Sequence, residues 1–249
     1  MKMIFYYLLP GLALLGCSQK QATTSKSIHL TQAAIHDSRQ AANDSIRLYY
    51  ISQVCTQLQK EEEAQPNPDY WGGILYDLPL FLDVIQRIKP NHLGVFMDVG
   101  SGNGEKLFAS LCLGFEQAIG IEYNPDLVKM SQQNFPRLHQ QQTLITHQGD
   151  ALSIDAALFH QADLIYLYSP IKDTQKMAQL LERVIRHMKD GATILEVNAY
   201  YTTTLQQISH LKFPTLYGGW LAIKKEGGKY FVAQTFYSQG ANWLPLTVK

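Results

Sequence analysis

From residue 98 the chain reads Asp98-Val99-Gly100-Ser101-Gly102-Asn103-Gly104-Glu105, three glycines at alternate positions behind an acid. Glycines so spaced let a backbone approach a ligand where any Cβ would collide. A helix opening after such a turn presents free N–H groups to a polar or anionic ligand. A tight strand-to-helix turn would also use glycines, so the loop alone decides little. A second acid raises its meaning: Glu122, in Ala118-Ile119-Gly120-Ile121-Glu122-Tyr123-Asn124-Pro125, stands close to the spacing at which a carboxylate reaches ribose hydroxyls. The Gly-x-Gly-x-Gly spacing is one residue shorter than the dinucleotide fingerprint. The Gly-Lys-Ser/Thr of a Walker-type phosphate loop is missing.

The elements that must position these residues alternate. Apolar runs at 94–99, 117–121, 144–148, 164–168 and 193–197 read as strands, and 105–113, 125–134 and 174–188 as helices. Pro125 falls at a helix start, where proline is tolerated. Met177, Leu180, Leu181, Val184, Ile185 and Met188 form one face of the 174–188 helix. Such alternation implies an α/β fold with a parallel sheet and helices on both faces. The end of the chain departs from it: 220–225 and 230–237 are strand-like, and Glu226-Gly227-Gly228-Lys229 between them signals an antiparallel hairpin. Upstream, 31–65 reads as a helical extension with a stripe at Ile46, Tyr50, Val54 and Leu58. Gln65-Pro66-Asn67-Pro68-Asp69 is a breaker cluster, which puts the main domain at 66–249.

The run from Asp98 to Gly104 resembles motif I of the class I, seven-strand S-adenosylmethionine (SAM) methyltransferases. The resemblance covers about residues 70–237. It implies a Rossmann-like, mostly parallel seven-stranded sheet closed by an antiparallel hairpin, with SAM as cofactor. It further implies a loop of Asp98, Gly100, Ser101, Gly102 and Gly104 around the amino acid part of SAM, with Glu122 on the ribose. Gly149-Asp150-Ala151 resembles the family position where an Asp meets the adenine amino group. The succession of these three segments also resembles the Dot1-like protein lysine methyltransferases.

Substrate-facing residues of that family follow the fourth strand, which here reads Tyr166-Leu167-Tyr168-Ser169-Pro170-Ile171. Tyr168 and Ser169 are the candidate catalytic pair. The segment is not the Asn/Asp-Pro-Pro-Tyr tetrad of many nucleic acid amino methylases. Tyr70-Trp71-Gly72-Gly73 is a candidate lid, and Asn198-Ala199-Tyr200-Tyr201 a candidate wall of the acceptor pocket. Aromatic packing is the plainer reading of both.

Residues 1–16 have the layout of a secretory signal peptide, a single Lys2 before a short apolar run. Leu14-Leu15-Gly16-Cys17 resembles the bacterial lipobox, which implies cleavage after Gly16 and lipidation of Cys17. Residues 17–30 then form a polar tether, and acyl chains hold the protein on an envelope membrane without spanning it. If the signal is not used, the protein is cytoplasmic and membrane-associated. SAM is made in the cytoplasm, so export and catalysis pull apart. The alternative to an enzyme is an inactive anchored lipoprotein that binds through the same fold. Lys plus Arg and Asp plus Glu number 21 each, and such a chain has no basic footprint for nucleic acid. The expected acceptor is a protein or small molecule. Three cysteines, at 17, 55 and 112, and scattered histidines give neither a disulfide framework nor metal-ligand spacing.

Overall fold

The computed structural model describes residues 30–58, 77–88, 90, 92–198, 201–214, 219–236 and 240–249. Residues 1–16, expected to be a signal peptide, Cys17 and the candidate lid from Tyr70 to Gly73 lie outside them. Among the described residues three helices come first: α1 (30–40), α2 (Asp44–Cys55) and α3 (Leu78–Ile88). The alternating region follows as β1 (Val95–Val99), α4 (Glu105–Cys112), β2 (Gln117–Glu122), α5 (Pro125–Asn134), α6 (Pro136–Gln140), β3 (Leu144–Gln148) and a 3-10 turn at Ala156–Gln161. It continues through β4 (Leu164–Leu167), α7 (Thr174–His187), β5 (Thr193–Asn198) and α8 (Tyr201–Gln206). After α8 the elements of the described residues are strands: β6 (Leu211–Lys212), β7 (Gly219–Glu226), β8 (Lys229–Phe236), β9 (Gly240–Ala241), β10 (Leu244–Pro245) and β11 (Thr247–Val248).

Helix starts are set by short polar side chains. Asn43 accepts from the Ile46 N–H, Asn124 from Asp126 with Pro125 in the first turn, and Asp173 from Gln175 and Lys176, each satisfying an orphan donor. The hairpin turn takes its shape from Gly227 and Gly228, both left-handed. Their N–H groups donate to the Asp190 carboxylate, which holds that carboxyl below its usual range.

The main sheet runs β3-β2-β1-β4-β5-β7-β8-β10, with β9 paired to the outer edge of β8. The five strands from β3 to β5 are parallel, and each later pairing is antiparallel. The expected seven-stranded sheet is therefore wider: eight strands lie along it and a ninth beside them. The additional strands are two residues long, too short for any periodicity to announce them. β6 and β11 form a separate ribbon that ties the chain end to Leu211 and Lys212.

Each face of the sheet has its own apolar layer. On one, α7 packs Met177, Leu181 and Val184 against Ile165, Leu167 and Ile194. On the other, Phe81, Phe96, Leu107, Phe108 and Tyr166 form the center, and Ala34, Ile51 and Val54 of α1 and α2 join it. Arg39 of α1 closes the far end of α4 by donating to the carbonyls of Leu111 and Phe115 at 2.9 and 2.7 Å. The stripe read through Ile46 is corrected here. Ile51 and Val54 are buried, while Ile46 and Tyr49 are exposed. A repeat of four drifts by about 40° per step around a helix of 3.6 residues per turn, so Ile46 leaves the face while Tyr50 and Leu58 still pack against the core. Cys112 is buried core, its thiol pushed up to about 12 by burial. Burial pushes the Cys55 thiol up still further, with Glu105 beside it adding to the effect.

Candidate active site

Beyond Val99 the chain turns through Gly100, Gly102 and Gly104 with φ of 87°, 53° and 86°, conformations that a Cβ penalizes. The N–H groups of Gly100 and Ser101 donate to the Ile121 carbonyl at 2.8 and 3.2 Å, fastening the loop to the end of β2. Glu122, the last residue of β2, is buried, and both its oxygens are used. Oε2 accepts from the Gly102 N–H at 2.9 Å and Oε1 from the Asn124 N–H at 2.8 Å. One carboxylate thus braces the turns after β1 and β2. The Gly149 N–H donates to the Glu122 carbonyl at 2.9 Å, bringing the next turn alongside. There Asp150 accepts from Leu152 through Oδ1, and from Ser153 and Ile154 through its carbonyl. The glycine loop, Glu122 and Asp150 therefore converge at the carboxyl ends of three adjacent parallel strands, where open α/β sheets bind ligands.

Protein atoms crowd the loop from behind. A Cβ at Gly100 would stand 3.0 Å from that of Pro170, and one at Gly104 would stand 2.5 Å from Ser131 Oγ. The Ser101 side chain, read from sequence as part of the binding loop, is turned inward. A Cβ at Gly120 would meet its Oγ at 2.4 Å. Ser101 contributes to the loop through its backbone. Asp98 has no exposed surface, and the ammonium of Lys106, in the first turn of α4, lies 3.5 Å from its Oδ2. Lys106 escaped the sequence reading. The available signal was a lysine at the positive end of a helix, where acids are favored.

Tyr168 stacks on Tyr166 with ring centers 6.4 Å apart and planes at 21°. Tyr166 in turn meets Trp220 at 6.4 Å and the edge of Phe81 at 5.2 Å. Burial, and after it the charge of Asp98, pushes the Tyr166 hydroxyl well above its usual range. Ser169 is left-handed at φ 40°, and its hydroxyl donates to the Val197 carbonyl at 2.7 Å. The loop carrying the candidate catalytic pair thus crosses from β4 toward β5 against Gly100. The proton of Ser169 is committed to a backbone carbonyl. Ala199 and Tyr200 lie outside the described residues, as do the side chains of Asn198 and Tyr201.

Residues 97–195, from inside β1 to inside β5, match the methyltransferase domain family. The chain has the class I SAM-dependent methyltransferase fold. Among solved structures it is similar to an RNA methyltransferase of Salinibacter ruber in complex with S-adenosyl-L-homocysteine, at 22% identity over 49% of this chain and 76% of that one, with a TM-score of 0.41. It is similar to an S-adenosylmethionine-dependent methyltransferase of Clostridium acetobutylicum, at 14% identity over 68% and 72%, with a TM-score of 0.41. It is also similar to phosphoethanolamine N-methyltransferase 1 of Haemonchus contortus, at 14% identity over 48% of this chain and 25% of that one, with a TM-score of 0.38. No curated protein matches the chain. In this methyltransferase fold, the donor set at the strand ends is acidic: Asp98 and Glu122 are both buried there. Carboxylates suit hydroxyls and a cationic ligand, and oppose a diphosphate. That chemistry fits a ribose joined to a sulfonium and an ammonium.

Proposed function

We propose that this chain is an SAM-dependent methyltransferase acting on a protein lysine or a small molecule rather than on nucleic acid. The observation that carries the reading is the Glu122 carboxylate, which braces the glycine loop through Gly102 and sits beside the Asp150 turn. Glu122 would hold the ribose diol, and Asp150 the adenine amino group. The loop from Asp98 to Gly104 would wrap the amino acid end. When bound, SAM supplies a methyl already activated by its sulfonium, so the protein's work is positioning and exclusion of water. Pro170 lies close against Gly100, so the loop after β4 would border that site, and Tyr168 would face the acceptor. Ser169 would orient that loop through its bond to Val197. An amine acceptor must be neutral to attack, and a carboxylate, or a tyrosine in its phenolate form, near the methyl would accept its proton. A neutral formal charge and the Tyr168-Ser169-Pro170 sequence favor an acceptor other than nucleic acid. The order of the Asp98, Glu122 and Asp150 segments, which resembles that of the Dot1-like enzymes, is what favors a protein lysine as acceptor.

The test is titration calorimetry of the full chain with S-adenosylhomocysteine, with Glu122→Ala beside it. Loss of a charged hydrogen-bond acceptor should weaken binding by roughly tenfold to a hundredfold. A folded wild-type chain that binds no S-adenosylhomocysteine would sink the reading. We place the protein on a bacterial envelope membrane through a lipidated Cys17. Fatty-acid labeling that persists in Cys17→Ala would rule that out.

A further inference from the structure

The glycine loop has two halves, and different parts of the molecule hold them. Gly100, Ser101 and Gly102 are fastened to β2, through the Ile121 carbonyl and the Glu122 carboxylate. Asn103 and Gly104 lie against α5 instead. Asn134, in the last turn of that helix, donates from Nδ2 to the Asn103 carbonyl at 3.2 Å. Ser131 and Phe135 flank it and pack on Gly104, where a Cβ would stand 2.5 Å from Ser131 Oγ and 3.3 Å from the Phe135 ring. Residues three and four apart on a helix are neighbors, so one face of α5 meets the loop. That face is itself anchored. Ser131 Oγ lies 3.3 Å from His139 Nε2 on α6 and 3.1 Å from Thr146 Oγ1 on β3. Phe135 stacks on Phe108 of α4 with ring centers 5.3 Å apart.

The Asn103 carbonyl and the Gly104 N–H belong to one planar peptide. Its oxygen accepts from Asn134, and its N–H donates to the Ser101 carbonyl at 3.1 Å. Gly104 is left-handed at φ 86°, and a glycine beside a peptide lets the plane turn at little steric cost. The side-chain amide of Asn134 therefore holds the plane at its oxygen end, in a place where Asn134 and Asn103 are both buried.

We infer that Asn134 is a positioning residue that acts through the 103–104 peptide, fixing the outer half of the glycine loop in the orientation that receives the amino acid end of the cofactor. The inference rests on the proposed function, in which Glu122 holds the ribose and the loop the amino acid end. The two halves of the loop then have separate supports, β2 for the half beside the ribose and α5 for the half beside the amino acid.

The experiment titrates the full chain with S-adenosylhomocysteine and with 5′-methylthioadenosine, which has the same nucleoside and sulfur but no amino acid. Asn134→Leu, which keeps the size and removes the donor, should weaken S-adenosylhomocysteine roughly fivefold and leave methylthioadenosine within about twofold. Glu122→Ala, which acts at the ribose, should weaken both. In amide NMR spectra of the ligand-free chain, the Gly104 resonance should move in Asn134→Leu, a signature that a general loss of stability would not give. An unchanged S-adenosylhomocysteine affinity, equal losses for both ligands, or a loss with the Gly104 resonance unmoved would overturn the inference. If Asn134→Leu does not fold, Asn134→Ala, which adds no bulk, takes the same measurements. A wild-type chain that binds both ligands equally overturns this inference and leaves the proposed function standing. One that binds neither overturns the proposed function, and this inference with it.

Discussion

Two acids at opposite ends of the same sheet are almost equally buried, yet they hold different things. Asp163, just before β4 at the amino end of the parallel strands, accepts from the Val95 N–H at 2.7 Å and pairs with Lys189 at 2.7 Å. Gly94 makes room for it, since a Cβ there would lie 2.5 Å from Oδ2. That carboxylate joins β1 to β4 and is matched by a lysine. Glu122, at the carboxyl end of β2, instead accepts from two N–H groups of loops. With exposures of 8% and 7%, burial does not tell the two apart; the end of the strand does. Loops at the carboxyl ends form the crevice, so an acid that braces them shapes what a ligand meets.

Exchange of function between the two ends would break this contrast. The largest expected effect is on Asp163→Ala, which takes the carboxylate from the Val95 N–H and leaves the Lys189 ammonium with the Gln161 carbonyl. It should cost about 3 kcal/mol in urea denaturation and leave S-adenosylhomocysteine affinity within about twofold. A matching loss of affinity would mean that the amino end also shapes the site. Gly100→Ala sharpens the carboxyl end. Its left-handed φ and the contact with Pro170 should together cost about 2 kcal/mol and displace the loop after β4. Affinity and turnover should both fall, whereas a stable, fully active variant would separate that loop from the site. Ser169→Ala should cost about 1 kcal/mol through the lost bond to Val197, and retained turnover would confine Ser169 to that structural role.

The smallest effect lies away from both ends. Burial alone would raise the Glu182 carboxyl, but hydrogen bonds from Ser209, Arg186 and His210 outweigh it and hold it at about 2, against an ordinary 4.5. A depressed folded value means that this contribution is complete above the unfolded value. It is lost as pH falls from 4.5 toward about 2. Melting temperatures of Glu182→Gln and wild type should therefore converge across that window. Parallel curves would show that the cluster is not linked to stability.

Local patterns were legible wherever the chemistry is local. Alternating apolar runs marked β1 to β5, Pro125 stands at a helix start, and Gly227-Gly228 is the hairpin turn, because each depends on neighbors a few residues away. The glycine loop and Glu122 were legible for the same reason, since strand-turn-helix geometry fixes which residues stand at a strand end. The width of the sheet was not. β10 pairs with Phe231 and Val232, and β11 with Leu211 and Lys212, and two-residue strands exist only because a partner edge is already in place.

By itself, then, the sequence determined an α/β chain with a nucleotide-type glycine loop, an acid at the end of the second strand and a closing hairpin. Tertiary structure alone decided that Ser101 turns toward Gly120, that Ser169 gives its proton to Val197, and that Arg39 closes the end of α4. It also decided that Lys106 stands beside Asp98. Each of these is a contact between side chains or carbonyls brought together by strand order and helix docking. Their energies depend on burial and approach, and neither quantity is written in residue spacing.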